Sequence, residues 1–435
     1  MMPIQSKQRR RLLLAVGVTA VAGLALGACS SPAPEASSDP DAPVSLRLSV
    51  EAGAVDAPVA VLAAKYSEEH PNITFEVEAV PNEQYGEVLR TQLQGGNAPD
   101  VFYVTGGNGN AHSALPLAEA GYLVDLSGTV AEELFTDSTR SLSEYDGKIW
   151  TQPYDFVPIV NNYNVTVAEE LGIELPFTSV DDVLDACAVA TDAGKTLLRL
   201  AGAAVPNAGL TTLQMAATRV YADDPEWNQK RLDGDVTFAD TKGWTESLEL
   251  ILELRDAGCF QEGVEAGVIA DNVPAIAAGT SLGGFAPGGQ VGDLRRVNPD
   301  NEYLSTAFPG DKGEKWMFAS PTNMLALNAS SDEAKQKAGM DFLAWLAEPE
   351  NADELAATSG NLSIRAGSGA ALPDQYQYIS DYFTDESYQP LANLQWPSPE
   401  VYNTLGTGVQ GLLTGQTTVD AVLKAMDAAW DSAAG

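Results

Sequence analysis

The chain has 435 residues, with 60 Asp and Glu against 24 Lys and Arg and a formal net charge of −36. That excess repels nucleic acid and anionic lipid headgroups, so neither is expected as a partner. Two histidines far apart in sequence and three cysteines leave no cluster for zinc, and no EF-hand spacing is present, so no metal or cofactor is expected.

Lys7, Arg9, Arg10 and Arg11 precede the apolar run LLLAVGVTAVAGLALGA, the pattern of a secretory signal over residues 1–28. Leu26-Gly27-Ala28-Cys29 closes it and resembles the lipobox of bacterial lipoproteins, which implies an acylated Cys29 as the mature N-terminus. Read from the residues alone, an uncleaved anchor or ordinary secretion is the alternative. Residues 29–43 follow with SSPAPEASSDPDAP, too poor in large apolar side chains for a core; this reads as a disordered tether reaching about 20 Å. No other stretch is long and apolar enough to span a bilayer. The expected location is extracytoplasmic, anchored by lipid alone to the outer face of the cytoplasmic membrane.

From residue 44 strands alternate with helices. Val44, Leu46, Leu48 and Val50 recur at period two, as a strand requires, and Val59, Leu62, Ala63 and Tyr66 at helical spacing before Pro71. ITFEVEAV reads as a second strand, EQYGEVLRTQLQGG as a helix closed by glycine, and DVFYVT as a third strand. Such repetition argues for a parallel α/β sheet, whose ligands bind beyond the carboxyl ends of its strands. Two loops lie at such ends, one with Glu51 and Gly53, the other running from Thr105 to Asn110. HSALPLAEAGYLVDLS is a helix and turn, and GKIWTQPYDFVPIVNNYN two strand-like runs around Pro153 and Pro158. Helices are predicted around 179–193, 209–222, 240–257, 332–347 and 418–433. Trp345 and Trp430 fall on their apolar faces and read as core.

An exported chain permits a disulfide between Cys187 and Cys259; two buried thiols are the alternative. Gly279-Thr280-Ser281-Leu282-Gly283 fits the G-x-S-x-G elbow of hydrolases, but that fold needs a histidine after the serine, and both His70 and His112 precede it. No catalytic residue is assigned. The loop after the third strand lacks the Lys-Ser/Thr of a phosphate loop, and no Lys or Arg lies between Arg90 and Arg140, so a neutral ligand fits better than a phosphate.

The order of GGNAPDVFYV, LAEAGYLVDLS, GKIWTQPYDFVPIVNNYN, NVPAIAAGTSLGGFAPGGQ, WMFASPTNMLALNASSDEAKQKAGMDFLAWLAEPE and VQGLLTGQTTVDAVLKAMDAAW resembles the extracellular solute-binding proteins of bacterial ABC importers. Within that family it resembles the carbohydrate-binding type that includes maltose-binding protein. The resemblance covers residues 44–433. It implies a two-lobed α/β periplasmic-binding-protein-like fold of type II, each lobe a mostly parallel sheet flanked by helices, joined by hinge strands. Lobe 1 is expected to comprise 44–155 plus 323–361 and lobe 2 to comprise 156–322 plus 362–435, with crossings near 153–160, 318–325 and 360–365. The implied partners are a small sugar held in the cleft and the transmembrane subunits of an ABC permease, met by a monomer. A binding protein for a non-sugar polar solute and, behind it, a secreted glycoside hydrolase are the alternatives.

A sugar offers hydroxyls and flat C–H faces, so its site needs amides, carboxylates and aromatic rings. By position the ligand-binding candidates are Glu51, Asn108 and Asn110 at first-lobe strand ends, Tyr154 and Asp155 at the first crossing, and Phe285 and Trp396 in the second lobe. Trp316, Asn323, Asn361 and Arg365 border the other crossings. Asn108 and Asn110 equally suit a turn, and Trp150 and Trp316 hinge packing. Compared with maltose-binding proteins, the tryptophan and charged residues after the third strand are replaced by Val104, Thr105, Gly107 and Asn108, and FAPGGQ carries no tryptophan. Fewer stacking rings point to a mono-, di- or short oligosaccharide.

Overall fold

Apolar side chains at every second position make β1 (Val44–Ala52), where Leu46, Leu48 and Val50 are buried. It lies parallel to β2 (Ile73–Pro81) on one side and β3 (Val101–Thr105) on the other. The computed structural model describes residues 42–52, 57–366 and 372–434. The signal segment, Cys29, the tether up to residue 41 and Gly53 lie outside these residues.

Beyond β3 come a short hairpin, β4 (Glu144–Tyr145) and β5 (Lys148–Ile149), then β6 (Gln152–Pro153) and β7 (Val157–Asn164). β8 (Thr196–Arg199), β9 (Ser281–Pro287), β10 (Tyr303–Thr306), β11 (Met317–Ser320), β12 (Asn323–Leu327) and β13 (Tyr388–Gln389) complete the strands. They form two main sheets. The first runs β2-β1-β3-β12-β6; the second runs β13-β11-β7-β9-β8, with β10 also beside β7. Helices flank both, so the α/β class holds.

Their strands are less uniformly parallel than expected. β1–β3 and the β8–β9 pair are parallel, but β12 is antiparallel to β3, and β7 has antiparallel neighbours in β9, β10 and β11. The reason is the path of the chain. β7 carries it out of the crossing into the second sheet and β11 brings it back alongside, so the two run in opposite directions. Parallel pairing needs a helical crossover instead.

Helix Pro58–Glu69 and helix Glu333–Leu346 pack Tyr66, Phe342 and Trp345 beside Phe75 of β2, with Tyr66 5.2 Å from each of the Phe342 and Trp345 rings. Over the second sheet, helices Val205–Ala216, Lys242–Asp256, Pro399–Leu413 and Val419–Ala434 enclose an aromatic box of Trp227, Phe238, Trp244, Trp396 and Trp430. Each such ring buries some 150–250 Å², so the box is a main source of hydrophobic stabilisation there. Cys187, on helix Val180–Asp192, is bonded to Cys259, just past helix Lys242–Asp256, with Cα atoms 4.9 Å apart. Trp345 and Trp430 are core residues, as their spacing predicts.

Candidate functional site

The three crossings meet on one carboxylate. Asp155 stands between β6 and β7 and is fully buried. Its Oδ2 accepts from Asn323 Nδ2, at the head of β12, at 3.1 Å and from Asn361 Nδ2 at 2.7 Å. Backbone bonds reinforce the junction: Tyr154 N–H donates to Asn323 O, and Phe156 and Leu362 exchange both bonds. Asp155 Oδ1 is buried and has no hydrogen-bond partner among the described residues, an acceptor left open. Burial pushes the Asp155 carboxyl up to about 7 against the lowering effect of the two amides.

Tyrosines surround this junction. Tyr103 Oη donates to Asn323 Oδ1 at 3.1 Å, and the Tyr85 hydroxyl sits 2.9 Å from Tyr103 O and 3.3 Å from Ser49 O. Burial, with the charges of Glu51 and Asp155 nearby, pushes the phenols of Tyr103 and Tyr154 well above their ordinary value. Both therefore remain hydroxyl donors at any physiological pH. His112 lies 3.6 Å from Glu51 Oε1 through Nε2, and its ring packs 5.3 Å from Tyr85 and 5.4 Å from Tyr103. Burial lowers the imidazole to about 4, so at neutral pH it faces the carboxylate uncharged.

The cluster offers hydroxyl donors, carboxylate acceptors and amides, the groups that pair with a polyhydroxylated ligand. Ser281, the serine of the G-x-S-x-G pattern, is not part of it. Ser281 Oγ donates to Gly283 O within β9, in the sheet that does not contain His112. Among the described residues no group of three His, Cys, Asp or Glu is placed to hold a metal ion.

Of the candidates from sequence, Glu51, Tyr154, Asp155, Asn323 and Asn361 come together here. The others do not. Asn110 serves its own turn: Nδ2 donates to Thr105 Oγ1 at 3.1 Å and its N–H to Ser113 Oγ at 2.8 Å. Asn108 donates its N–H to Leu394 O at 2.7 Å. Phe285 is fully buried on central β9 and stacks on Phe308 with centroids 5.7 Å apart, because the inward face of a central strand is core. Trp396 is likewise 0% exposed. It lies two residues before the Ser398 cap of helix Pro399–Leu413, and its ring turns under the helix into the aromatic box while Nε1 donates to Asn228 Oδ1. Neither ring presents a face to a ligand. Arg365 is exposed, 4.0 Å from Asp353 of helix Pro349–Ser359. Trp316, just before β11, is half-buried against the large core, and its indole N–H is buried without a partner.

Tyr85, Tyr103 and His112 escaped the sequence reading because each looks like an ordinary core or turn residue. Asn161 left a clearer trace. Asparagine is depleted in strands, yet Asn161 lies in the middle of β7, fully buried, with both side-chain amide atoms unpartnered.

The family described as bacterial extracellular solute-binding protein matches residues 61–383. The melibiose/raffinose/stachyose-binding protein MelE of Bacillus subtilis (strain 168) is 24% identical over 379 residues, covering 81% of this chain and 80% of its own. The GacH receptor of Streptomyces glaucescens GLA.O, solved unliganded and with acarbose, superposes with a TM-score of 0.72 at 19% identity over 89% of this chain and 97% of its own. A sugar transporter of Bacillus licheniformis in complex with stachyose gives 0.68 at 16% identity over 89% and 100%. These likenesses carry the two-lobed fold, and the family and these relatives are binding proteins. With the family pattern running through both sheets and all three strands of chain that join them, the protein belongs to the bacterial extracellular solute-binding protein family.

Proposed function

We propose that the chain is the substrate-binding component of an ABC importer, which captures a small sugar outside the cell by hinge closure and delivers it to the membrane permease. The observation that carries this reading is the junction at Asp155. A buried carboxylate with an open acceptor atom joins all three crossings, so a ligand hydroxyl bonded there is felt by every segment that bends. A neutral hydroxyl donor at Tyr154 and the acceptor oxygen of Tyr103, beside Glu51, suit an uncharged polyol. The sugars that name MelE and the sugar bound in the stachyose complex support the same class.

In this reading lobe 1 is 44–155 plus 323–361 and lobe 2 is 156–322 plus 362–435. The ligand contacts are Glu51, Tyr103, Tyr154, Asp155, Asn323 and Asn361. The chain is a monomer and performs no reaction on its ligand. Acylated Cys29 holds it to the membrane; among the described residues no helix is long and apolar enough to cross one. Calorimetric titration with melibiose, raffinose, stachyose, an amino-acid mixture and a polyamine tests it. Saturable binding of a neutral sugar with unchanged sugar recovered afterwards is the expected result. A response confined to amino acids or polyamines overturns the carbohydrate assignment, and recovery of a cleaved sugar overturns the binding-protein reading.

A further inference from the structure

The stretch Gly106-Gly107-Asn108-Gly109-Asn110 alternates glycine with asparagine, and the structure gives that alternation a purpose. The loop leaves β3 in the first sheet. It is pinned by Gly107 N–H to Leu142 O at 2.7 Å and Leu115 N–H to Gly107 O at 3.2 Å on its own side, and by Gly106 N–H to Thr322 O at 3.1 Å at the entry to β12. Its outer edge lies against the turn Ala392–Gln395, which belongs to the helices over the second sheet. Asn108 N–H donates to Leu394 O at 2.7 Å. A Cβ added at Gly107 would overlap that same oxygen, and one added at Gly109 would sit 2.5 Å from Asn393 O. Two glycines therefore flank the donor so that one backbone can lie flat on another.

The receiving turn is equally fixed. Asn228 uses its whole amide on it and its surroundings: Nδ2 donates to Ala392 O and Gln395 Oε1, both at 3.1 Å. Oδ1 accepts from Trp396 Nε1 at 3.1 Å and Tyr221 Oη at 2.8 Å. Both sides of the contact are held by hydrogen bonds of their own, and the hydrogen bond that joins them is main chain to main chain.

We propose that this contact is a clasp: backbone docking of residues 107–109 on 393–394 holds the two sheets in the arrangement seen here, and Gly107 and Gly109 set how much of the protein occupies it. The affinity arm of this inference rests on the sugar-binding reading; the structural arm does not. Apparent affinity scales with the fraction of molecules in the binding-competent arrangement, so loosening the clasp weakens every ligand alike.

Hydrogen–deuterium exchange on the full-length chain in mild detergent tests it. In the wild type the Asn108 amide should exchange at least 100-fold more slowly than a free loop amide. Gly109→Ala adds a Cβ at a position with no left-handed backbone, and should speed exchange in 106–110 and 392–396 together by about tenfold. Gly121→Ala is the control, since Gly121 has φ of 76° and nothing within 4 Å of an added Cβ; it should leave 392–396 unchanged. With raffinose as the probe, Gly109→Ala should raise Kd about tenfold, within the usual span of coupling between sites. An unprotected Asn108 amide in the wild type, or unchanged exchange at 392–396 in Gly109→Ala, overturns the clasp. Absence of raffinose binding to the wild type would count against the sugar reading alone, with the exchange data still deciding the clasp.

Discussion

Asp100 and Asp155 are buried carboxylates at opposite ends of the same sheet, and the protein handles them in opposite ways. Asp100 precedes β3. Its Oδ2 accepts from Arg47 N–H at 2.9 Å and Lys335 Nζ at 3.0 Å, and its Oδ1 from Ser331 Oγ at 2.6 Å. Burial raises it, but these three donors outweigh burial and hold the carboxyl below its usual range. Asp155, beyond the carboxyl ends of β1 and β3, receives only two neutral amides and is left with a bare oxygen. Every acceptor of the first is used to tie strand, loop and helix together. The second keeps an acceptor in reserve. One end of the sheet is built for stability, and in the proposed function the other receives the ligand, as the carboxyl ends of open α/β sheets generally do.

That contrast can be broken in four ways. The largest effect belongs to Asp100→Ala, which strands the Arg47 amide, the Ser331 hydroxyl and the Lys335 ammonium. A loss of about 3 kcal/mol is expected from the urea midpoint, with sugar affinity unchanged. Asp155→Asn should do the reverse, keeping the fold while weakening sugar binding by about 30-fold at a pH above 7, where a hydrogen bond to a charged acceptor is replaced by one to a neutral amide.

The pH dependences also oppose each other. Asp100 is depressed in the fold, so its stabilisation is complete above the unfolded value of about 4 and is lost as pH falls below it. Asp155 is raised to about 7, so between about 4 and 7 the folded state holds the extra proton and stability declines as pH rises through that window. Subtracting the Asp155→Asn stability curve from the wild type should isolate a fall from pH 4 to 7, and the Asp100→Asn difference a fall below pH 4. Identical difference curves would erase the distinction. The smallest effect is that of Tyr103→Phe, which removes the bond orienting Asn323. A change of about threefold in sugar Kd is expected, and none in the urea midpoint beyond about 1 kcal/mol.

Local pattern made the scaffold legible. The alternation of Leu46, Leu48 and Val50, and the helical spacing of Phe342, Trp345 and Leu346, are properties of a few neighbouring residues, and they appear in the fold as read. Asp155 was legible too, since a carboxylate at a strand end near a proline-bounded crossing is an odd place for a solvated charge. Its meaning was not, because Asn323 and Asn361 are 168 and 206 positions away in the chain. Trp396 shows the same limit from the other side. An aromatic before a helix can face a cleft or turn under the helix, and the choice was made by Phe238, Trp244 and Trp430, none of them near in sequence. The glycines after β3 read as a rim for a ligand because only the remote carbonyls of Asn393 and Leu394 explain why side chains are forbidden there.

The aromatic box has an optical consequence. The Trp227, Trp244, Trp396 and Trp430 rings lie within energy-transfer range of one another, with neighbouring centroids 5.6 to 6.4 Å apart, all sealed from water. Their emission should be short in wavelength and indifferent to events outside the box. Of the seven tryptophans, Trp316 is the one that combines partial exposure with an unpartnered indole N–H near the crossings. A sugar-dependent change in emission is therefore expected to vanish in Trp316→Phe while most of the steady signal persists. The protein would carry a bright, constant lamp and a single dim indicator beside its hinge.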